Sequence, residues 1–222
     1  MTQLLENIEI ETAPDPEVAV IWLHGLGADG NDFVPLVNEL DLSGLPGIRF
    51  VFPHAKTMPV TINGGYVMRA WYDISNADLS RREDEGGLRA SQRDVEALIA
   101  REKARGIPAS RIILAGFSQG CAMTLQTGMR HPEKLAGMLC LSGYLPLAGV
   151  AAAERSEESL ATPVFMAHGT HDGVVPFARA QASHEALKAM GYQVEWHEYT
   201  MQHSLCLEEV QDISKWIRKV LS

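Results

Sequence analysis

A serine set between glycines, Gly116-Phe117-Ser118-Gln119-Gly120, is the sharpest chemical signal in this sequence. It follows an apolar run, 111–115 (RIILA), that reads as a strand, and it opens a stretch, 119–130, that reads as a helix. In a strand–turn–helix setting the tight turn lifts a serine hydroxyl above the carboxyl edge of a sheet. The glycines leave room where side chains would collide with the neighbouring strand and helix. The plain alternative for Ser118 is an ordinary helix cap. A hydroxyl attacks carbon poorly until a base accepts its proton, and the base works best when a carboxylate orients it. In this architecture the acid and the histidine follow the serine in that order, each just after a strand. The run 163–167 (PVFMA) is followed by His168-Gly169-Thr170-His171-Asp172-Gly173, which offers Asp172 as the acid; an Asp-Gly turn is its plain alternative. The run 192–199 is followed by Thr200-Met201-Gln202-His203, which offers His203 as the base.

The remaining histidines meet fewer of these demands. His24 and His168 each precede a glycine at a strand end, where hydrogen bonding to backbone or shaping the floor of the site is expected. His197 falls within the last strand, His131 at a helix end and His184 on an amphipathic helix. His54 and His171 receive no role. No HExxH or comparable ligand spacing occurs, so a catalytic metal is not expected. Gly25-Leu26-Gly27-Ala28-Asp29-Gly30 matches GxGxxG after the first buried strand, 18–23 (VAVIWL). Dinucleotide binding requires an acidic residue at the end of the next strand, and that strand, 48–52, ends in Pro53-His54-Ala55. The same turn can instead aim the Leu26 N–H at a developing oxyanion, paired with the N–H of Gln119. Cys121 and Cys206 each fall three residues after a candidate catalytic residue, and small buried residues are the default for free cysteine. Trp71-Tyr72-Asp73 closes a long connection; its rings wall a pocket or simply pack the core. Leu26, Trp71, Leu145 and Val175 are the candidates for lining a substrate groove, because they lie close in sequence to the catalytic motifs.

The elements around these residues alternate. Strands at 18–23, 48–52, 111–115, 135–141, 163–167 and 192–199 are interleaved with helices at 32–40, 86–105, 119–130, 177–190 and 205–221. That order implies a mainly parallel central sheet with helices on both faces. Two long connections interrupt it. One, 53–79, carries a hairpin signal at Asn63-Gly64 between 60–62 and 66–68; the other, 144–160, reads as a loop. The chain has 222 residues, 46% of them hydrophobic and 21% charged, which suits one α/β domain over 1–222 with a full core. Its net charge of −9 disfavours nucleic acid and anionic lipid as partners. No apolar run approaches the roughly 20 residues that span a bilayer, so stable membrane insertion is not expected. The acidic start, MTQLLENIEIE, lacks a basic signal region. Three widely spaced cysteines with no CxxC fit a reducing cytoplasm rather than a disulfide scaffold.

Taken together, VIWLHGLGADGNDF (20–33), INGGYVMRAWYDI (62–74), ILAGFSQGCAM (113–123), LSGYLP (141–146), HGTHDGVVP (168–176) and HSLCLEE (203–209) resemble the phospholipase/carboxylesterase family of α/β-hydrolases. This group includes small bacterial carboxylesterases and the acyl-protein thioesterases. The resemblance runs from about Val18 to Leu221. It implies an α/β-hydrolase fold without a large cap domain, with Ser118 as nucleophile, Asp172 as acid, His203 as base and the N–H groups of Leu26 and Gln119 as the oxyanion hole. It also implies cytoplasmic location, no cofactor and frequent dimerisation. One departure stands out: members commonly carry glycine immediately before the histidine, where this chain has Gln202. The expected activity is hydrolysis of short- to medium-chain carboxylic esters through an acyl-enzyme. Acyl-protein thioesterase or lysophospholipase activity uses the same triad. A non-catalytic binding module on the same fold is the alternative of a different class.

Overall fold

The computed structural model describes residues 4–75 and 83–222. Seven strands form the main sheet: β1 (Asn7–Glu11), β2 (Val18–Leu23), β3 (Ile48–Pro53), β6 (Ile112–Phe117), β7 (Gly137–Leu141), β8 (Val164–Gly169) and β9 (Val194–Tyr199), in the order β1-β3-β2-β6-β7-β8-β9. β1 pairs antiparallel with β3, and every other pairing in this sheet is parallel. β4 (Thr57–Val60) and β5 (Tyr66–Arg69) form a separate antiparallel hairpin. This is the expected α/β-hydrolase architecture.

The alternation of side chains along the strands explains why both faces are covered. On β2, Ala19, Ile21 and Leu23 point to one face, against α1 (Glu85–Ala104) and α2 (Gln119–Gly128). Val18, Val20 and Trp22 point to the other, where Ile213, Trp216 and Ile217 of α5 (Leu207–Leu221) cover the sheet. A third cluster joins Met138, Cys140, Val164 and Met166 to Leu125 of α2 and to Ala180 and Leu187 of α4 (Phe177–Ala189). All ten residues of α2 are buried, so the helix behind the candidate nucleophile is clamped on every side.

Three expectations change. The stretch 32–40 is not an α-helix but a short 3-10 turn, Val34–Asn38, in which Val34 N–H donates to Asn31 O and Leu36 N–H to Phe33 O. Pro35 brings no N–H, and so few residues gain little from an α ladder. The connection 144–160 is not all loop: α3 (Ala148–Glu154) and a 3-10 turn (Glu158–Ala161) occupy it. The hairpin signal at Asn63-Gly64 holds, but β4 and β5 close at Val60↔Tyr66 through a longer turn in which Gly64 and Gly65 take positive φ. The end of the 53–79 connection lies outside the described residues. The edge strand β1 is an addition. Ile8 and Ile10 alternate with polar neighbours, and Glu11 sits opposite Arg49, which it engages at 2.8 Å.

Candidate active site

The strand order reverses direction across β2 and β6, and the candidate catalytic residues all lie at the carboxyl ends of strands. This is where open α/β sheets leave a crevice. Ser118 follows β6 in a left-handed conformation, φ 56° and ψ −117°, which costs about 1–3 kcal/mol and needs a rigid surround. Its N–H donates to Leu141 O at 2.9 Å, and its carbonyl accepts from Ala122 N–H at 3.2 Å, tying the turn to β7 and α2. A Cβ on Gly116 would lie 2.2 Å from Gly120 O, and one on Gly120 would lie 2.1 Å from Leu23 O. These are backbone oxygens that cannot step aside. Gly120→Ala is therefore expected to destabilise the chain by at least the ~1–3 kcal/mol typical of overpacking. Denaturant unfolding checks this; an unchanged midpoint would contradict the close packing.

The three candidates meet. Ser118 Oγ lies 2.9 Å from His203 Nε2, and His203 Nδ1 lies 2.7 Å from Asp172 Oδ2. The carboxylate beside Nδ1 fixes the proton there, which leaves the Nε2 lone pair facing the serine hydroxyl. Asp172 Oδ1 accepts N–H bonds from Val174 and Val175 at 2.8 and 2.9 Å. The Asp172 side chain is fully buried, and the Phe117 ring packs on His203 with centroids 4.8 Å apart. The acid and base loops are laced together. Thr170 N–H donates to Tyr199 O and His171 N–H to Met201 O, at 2.8 and 3.1 Å. Gly169 allows this approach, since a Cβ there would lie 2.5 Å from the carbonyls of Met201 and Gln202. Gln202 is not among the positive-φ residues, so a residue with a side chain stands there without left-handed strain.

Leu26 and Gln119 sit at the entrances to the turn after β2 and to α2. Among the turn, loop and cap hydrogen bonds of the described residues, neither N–H donates to a protein acceptor. The β2 turn is held by His24. Its Nε2 accepts the Ala55 N–H at 3.0 Å, and its Nδ1–H donates to Gly25 O at 2.7 Å. Burial pushes the His24 pKa down to about 4, so the ring stays neutral. His54, given no role by the sequence, accepts the Gly30 N–H on Nδ1 at 3.0 Å. The Gln119 side chain braces the opposite wall: Oε1 accepts Trp71 N–H at 2.8 Å and Nε2–H donates to Tyr72 O at 2.7 Å.

A cavity of ≈ 230 Å³ opens beside Ser118. Leu26 and Val175, two of the lining candidates, border it, together with Gln119, Ile62, Tyr72, Ile74, Tyr144 and Val174. Trp71 and Leu145 do not, and both assignments are corrected. The Trp71 ring turns into the core, and its Nε1–H donates to His24 O at 2.9 Å. Leu145 packs among Cys121, Leu125 and Met166, and it lines a different cleft with Ala148 and Arg179. The residues that take their places are their chain neighbours, Tyr72 and Tyr144, whose hydroxyls meet at 2.7 Å. Nearness in sequence locates a wall but not which of two successive side chains faces it. Cys121 is buried under Gly143, and among the described residues no group of three or more His, Cys, Asp or Glu side chains could hold a metal.

Helix α5 holds a buried carboxyl group that the sequence does not single out. Glu209, in the first turn of α5, is fully buried, and burial pushes its pKa up to about 8. A carboxyl whose folded pKa exceeds its unfolded value binds more protons when folded. Its contribution is complete below about pH 4.3 and is lost as pH rises toward 8. Wild-type stability is therefore expected to fall from pH 5 to 9 relative to Glu209→Gln, by about 1.4 kcal/mol per pKa unit displaced. Parallel denaturation curves check the sign.

A protein-family model described as phospholipase/carboxylesterase matches residues 5–221. An acyl-protein thioesterase 1 of Neurospora crassa is 41% identical over 212 residues, covering 91% of this chain and 86% of the relative. One from Yarrowia lipolytica is 38% identical over 205 residues, 90% of each chain. Among solved structures, Arabidopsis thaliana SOBER1 superposes with a TM-score of 0.87 at 33% identity, covering 92% of this chain and 99% of that one. Acyl-protein thioesterase 2 of Zea mays gives a TM-score of 0.82 at 28% identity, covering 97% and 99%.

Proposed function

The chain belongs to the phospholipase/carboxylesterase family, and from that premise we propose that it is a serine hydrolase that cleaves carboxylic esters of short- to medium-chain acyl groups. The observation that carries the proposal is the unbroken line Ser118 Oγ–His203 Nε2 and Nδ1–Asp172 Oδ2, at 2.9 and 2.7 Å. His203 takes the serine proton as Oγ attacks the acyl carbon. Asp172 orients the ring and stabilises its imidazolium form. The N–H groups of Leu26 and Gln119 receive the oxyanion. His203 then protonates the leaving group and activates water to release the acyl-enzyme. No cofactor enters these steps. Because the base must be neutral, kcat/KM is expected to fall toward acid pH.

A second version of the same chemistry is thioester cleavage, favoured by relatives that are named acyl-protein thioesterases. Lysophospholipase activity is a third, since the triad itself does not separate the leaving groups. An acyl-chain series of paired oxygen esters and thioesters, assayed on purified protein, decides among them. Turnover of short oxygen esters at least equal to the matching thioesters supports the esterase; a strong thioester preference replaces it with the alternative. A non-catalytic binding module shows turnover with neither.

Access to the cavity is proposed to be open. The residues 144–160 supply only a seven-residue helix and a 3-10 turn, and Ile62 and Val174 stand exposed beside the cavity. Rates are expected to saturate with dissolved substrate. A sharp rise at the critical micelle concentration would contradict this. Among the described residues no helix is long and apolar enough to cross a membrane. The working unit is proposed as a single domain over 1–222 in the cytoplasm, supported by three free thiols. Homodimerisation is proposed from the family resemblance alone.

A further inference from the structure

His168 has no part in the steps above. It belongs to β8, is fully buried, and lies four residues before Asp172. Its Nε2 is 2.9 Å from the Val175 carbonyl oxygen and 3.3 Å from Asp172 Oδ2. Two oxygens facing one ring nitrogen settle the tautomer, because a lone pair there would repel both; Nε2 carries the proton. Nδ1 has no partner among the described residues. Burial holds the His168 pKa below the ordinary histidine value, so the ring is neutral.

The Asp172 carboxylate then has donors facing both oxygens. Oδ1 takes the Val174 and Val175 N–H groups, and Oδ2 faces His203 and His168. Three N–H groups bond the carboxylate, and the His168 Nε2–H, which bonds the Val175 carbonyl, stands as a fourth dipole 3.3 Å from Oδ2. The same Nε2–H also holds the carbonyl of Val175, whose residue lines the cavity beside Ser118. We propose that His168 is a positioning residue that fixes the Asp172 carboxylate toward His203 and the Val175 wall of the cavity through one shared Nε2–H. The assignment rests on the triad proposed above and deepens it.

Beyond orientation, the extra donor tempers the acid. A carboxylate with an N–H dipole 3.3 Å from its oxygen is less basic, and it holds the His203 imidazolium less tightly. Removing the donor raises the proton affinity of His203, so the acid limb of kcat/KM moves to higher pH. A group that only fills space does not move that limb. The titratable groups that meet here are His168 from β8, Asp172 from the turn after it, and His203 from the loop after β9.

Two variants separate the roles. His168→Gln keeps an N–H near the Nε2 position, and His168→Leu fills similar space without one. His168→Leu is expected to lose about tenfold in kcat/KM, mainly through kcat, as for loss of one buried hydrogen bond with its dipole beside a carboxylate. Its acid limb should move up by about half a pH unit or more. His168→Gln should restore most of the rate and the wild-type limb. Equal losses in both variants with an unmoved limb, or wild-type rates in both, would overturn the proposal. A measurement on the unaltered chain stands independent of how the variants fold. Ring-nitrogen NMR at neutral pH should show His168 as the uncharged Nε2–H tautomer. The Nδ1–H tautomer, or a doubly protonated ring at neutral pH, would overturn it. A wild-type chain that turns over neither esters nor thioesters overturns the triad and this assignment together. An active wild type with any of the contrary results overturns this assignment alone.

Discussion

Ser118→Ala is expected to lower kcat for ester hydrolysis by about 10⁶ while the fold survives. The size follows from what is lost. Without Oγ there is no covalent intermediate, and His203 Nε2, which faces that oxygen at 2.9 Å in the unaltered chain, has no proton to take. What remains is the oxyanion donors and the cavity, which in such enzymes keep a residual ~10³–10⁴ over water. The fold should tolerate the change, because the turn is set by backbone bonds, Ser118 N–H to Leu141 O and Ala122 N–H to Ser118 O, that alanine also makes. Alanine must still occupy φ 56°, so a small loss of stability accompanies the loss of rate. Steady-state kinetics with unfolding curves on the same sample check both halves. Near-wild-type turnover would remove Ser118 from the chemistry.

The second large effect concerns the acid. Asp172→Asn is expected to lower kcat by about 10⁴ by favouring the wrong His203 tautomer. An amide N–H at Oδ2 would donate toward Nδ1, drive the ring proton to Nε2 and turn it against the serine hydroxyl. A competing carboxylate provides the control. Asp73, in the Trp71-Tyr72-Asp73 motif, accepts the Thr61 N–H at 2.7 Å and the Thr61 hydroxyl, and so ties the 61–63 turn to the end of the hairpin connection. Asp73→Asn should cost little in kcat. A severe Asp73→Asn with a nearly silent Asp172→Asn would show that the wrong carboxylate had been chosen.

The parts of this molecule that were legible in its sequence are those whose cause is local. Val18–Leu23 reads as a buried strand because six apolar residues in a row have no other stable home. Ser118, Asp172 and His203 are legible because each strand-end position is marked by its own sequence, and the order of the three is a demand of topology. The 3-10 turn at Val34–Asn38 was hidden because its apolar spacing suits a helix and only Pro35 argues otherwise. Strand β1 was hidden because its pattern is short and half polar. Its stability comes from across the sheet, where Arg49 of β3 meets Glu11 and the fully buried Glu102 of α1 at 2.8 Å each. The cavity wall was the least legible part. Tyr72 and Tyr144 face it while Trp71 and Leu145 turn away, a choice made by the Gln119 and Ser183 side chains, which grip the Trp71 and Leu145 N–H groups from far along the chain.

The central claim is that Ser118 is a nucleophile activated by His203. Its most direct test is stoichiometric labelling with a fluorophosphonate, followed by mapping of the modified residue by mass spectrometry. One phosphonyl group per chain on Ser118 is predicted, at a rate strongly reduced in His203→Ala and with esterase activity lost in proportion to labelling. A protein that hydrolyses esters yet carries the label elsewhere, or labels equally fast without His203, would contradict the account.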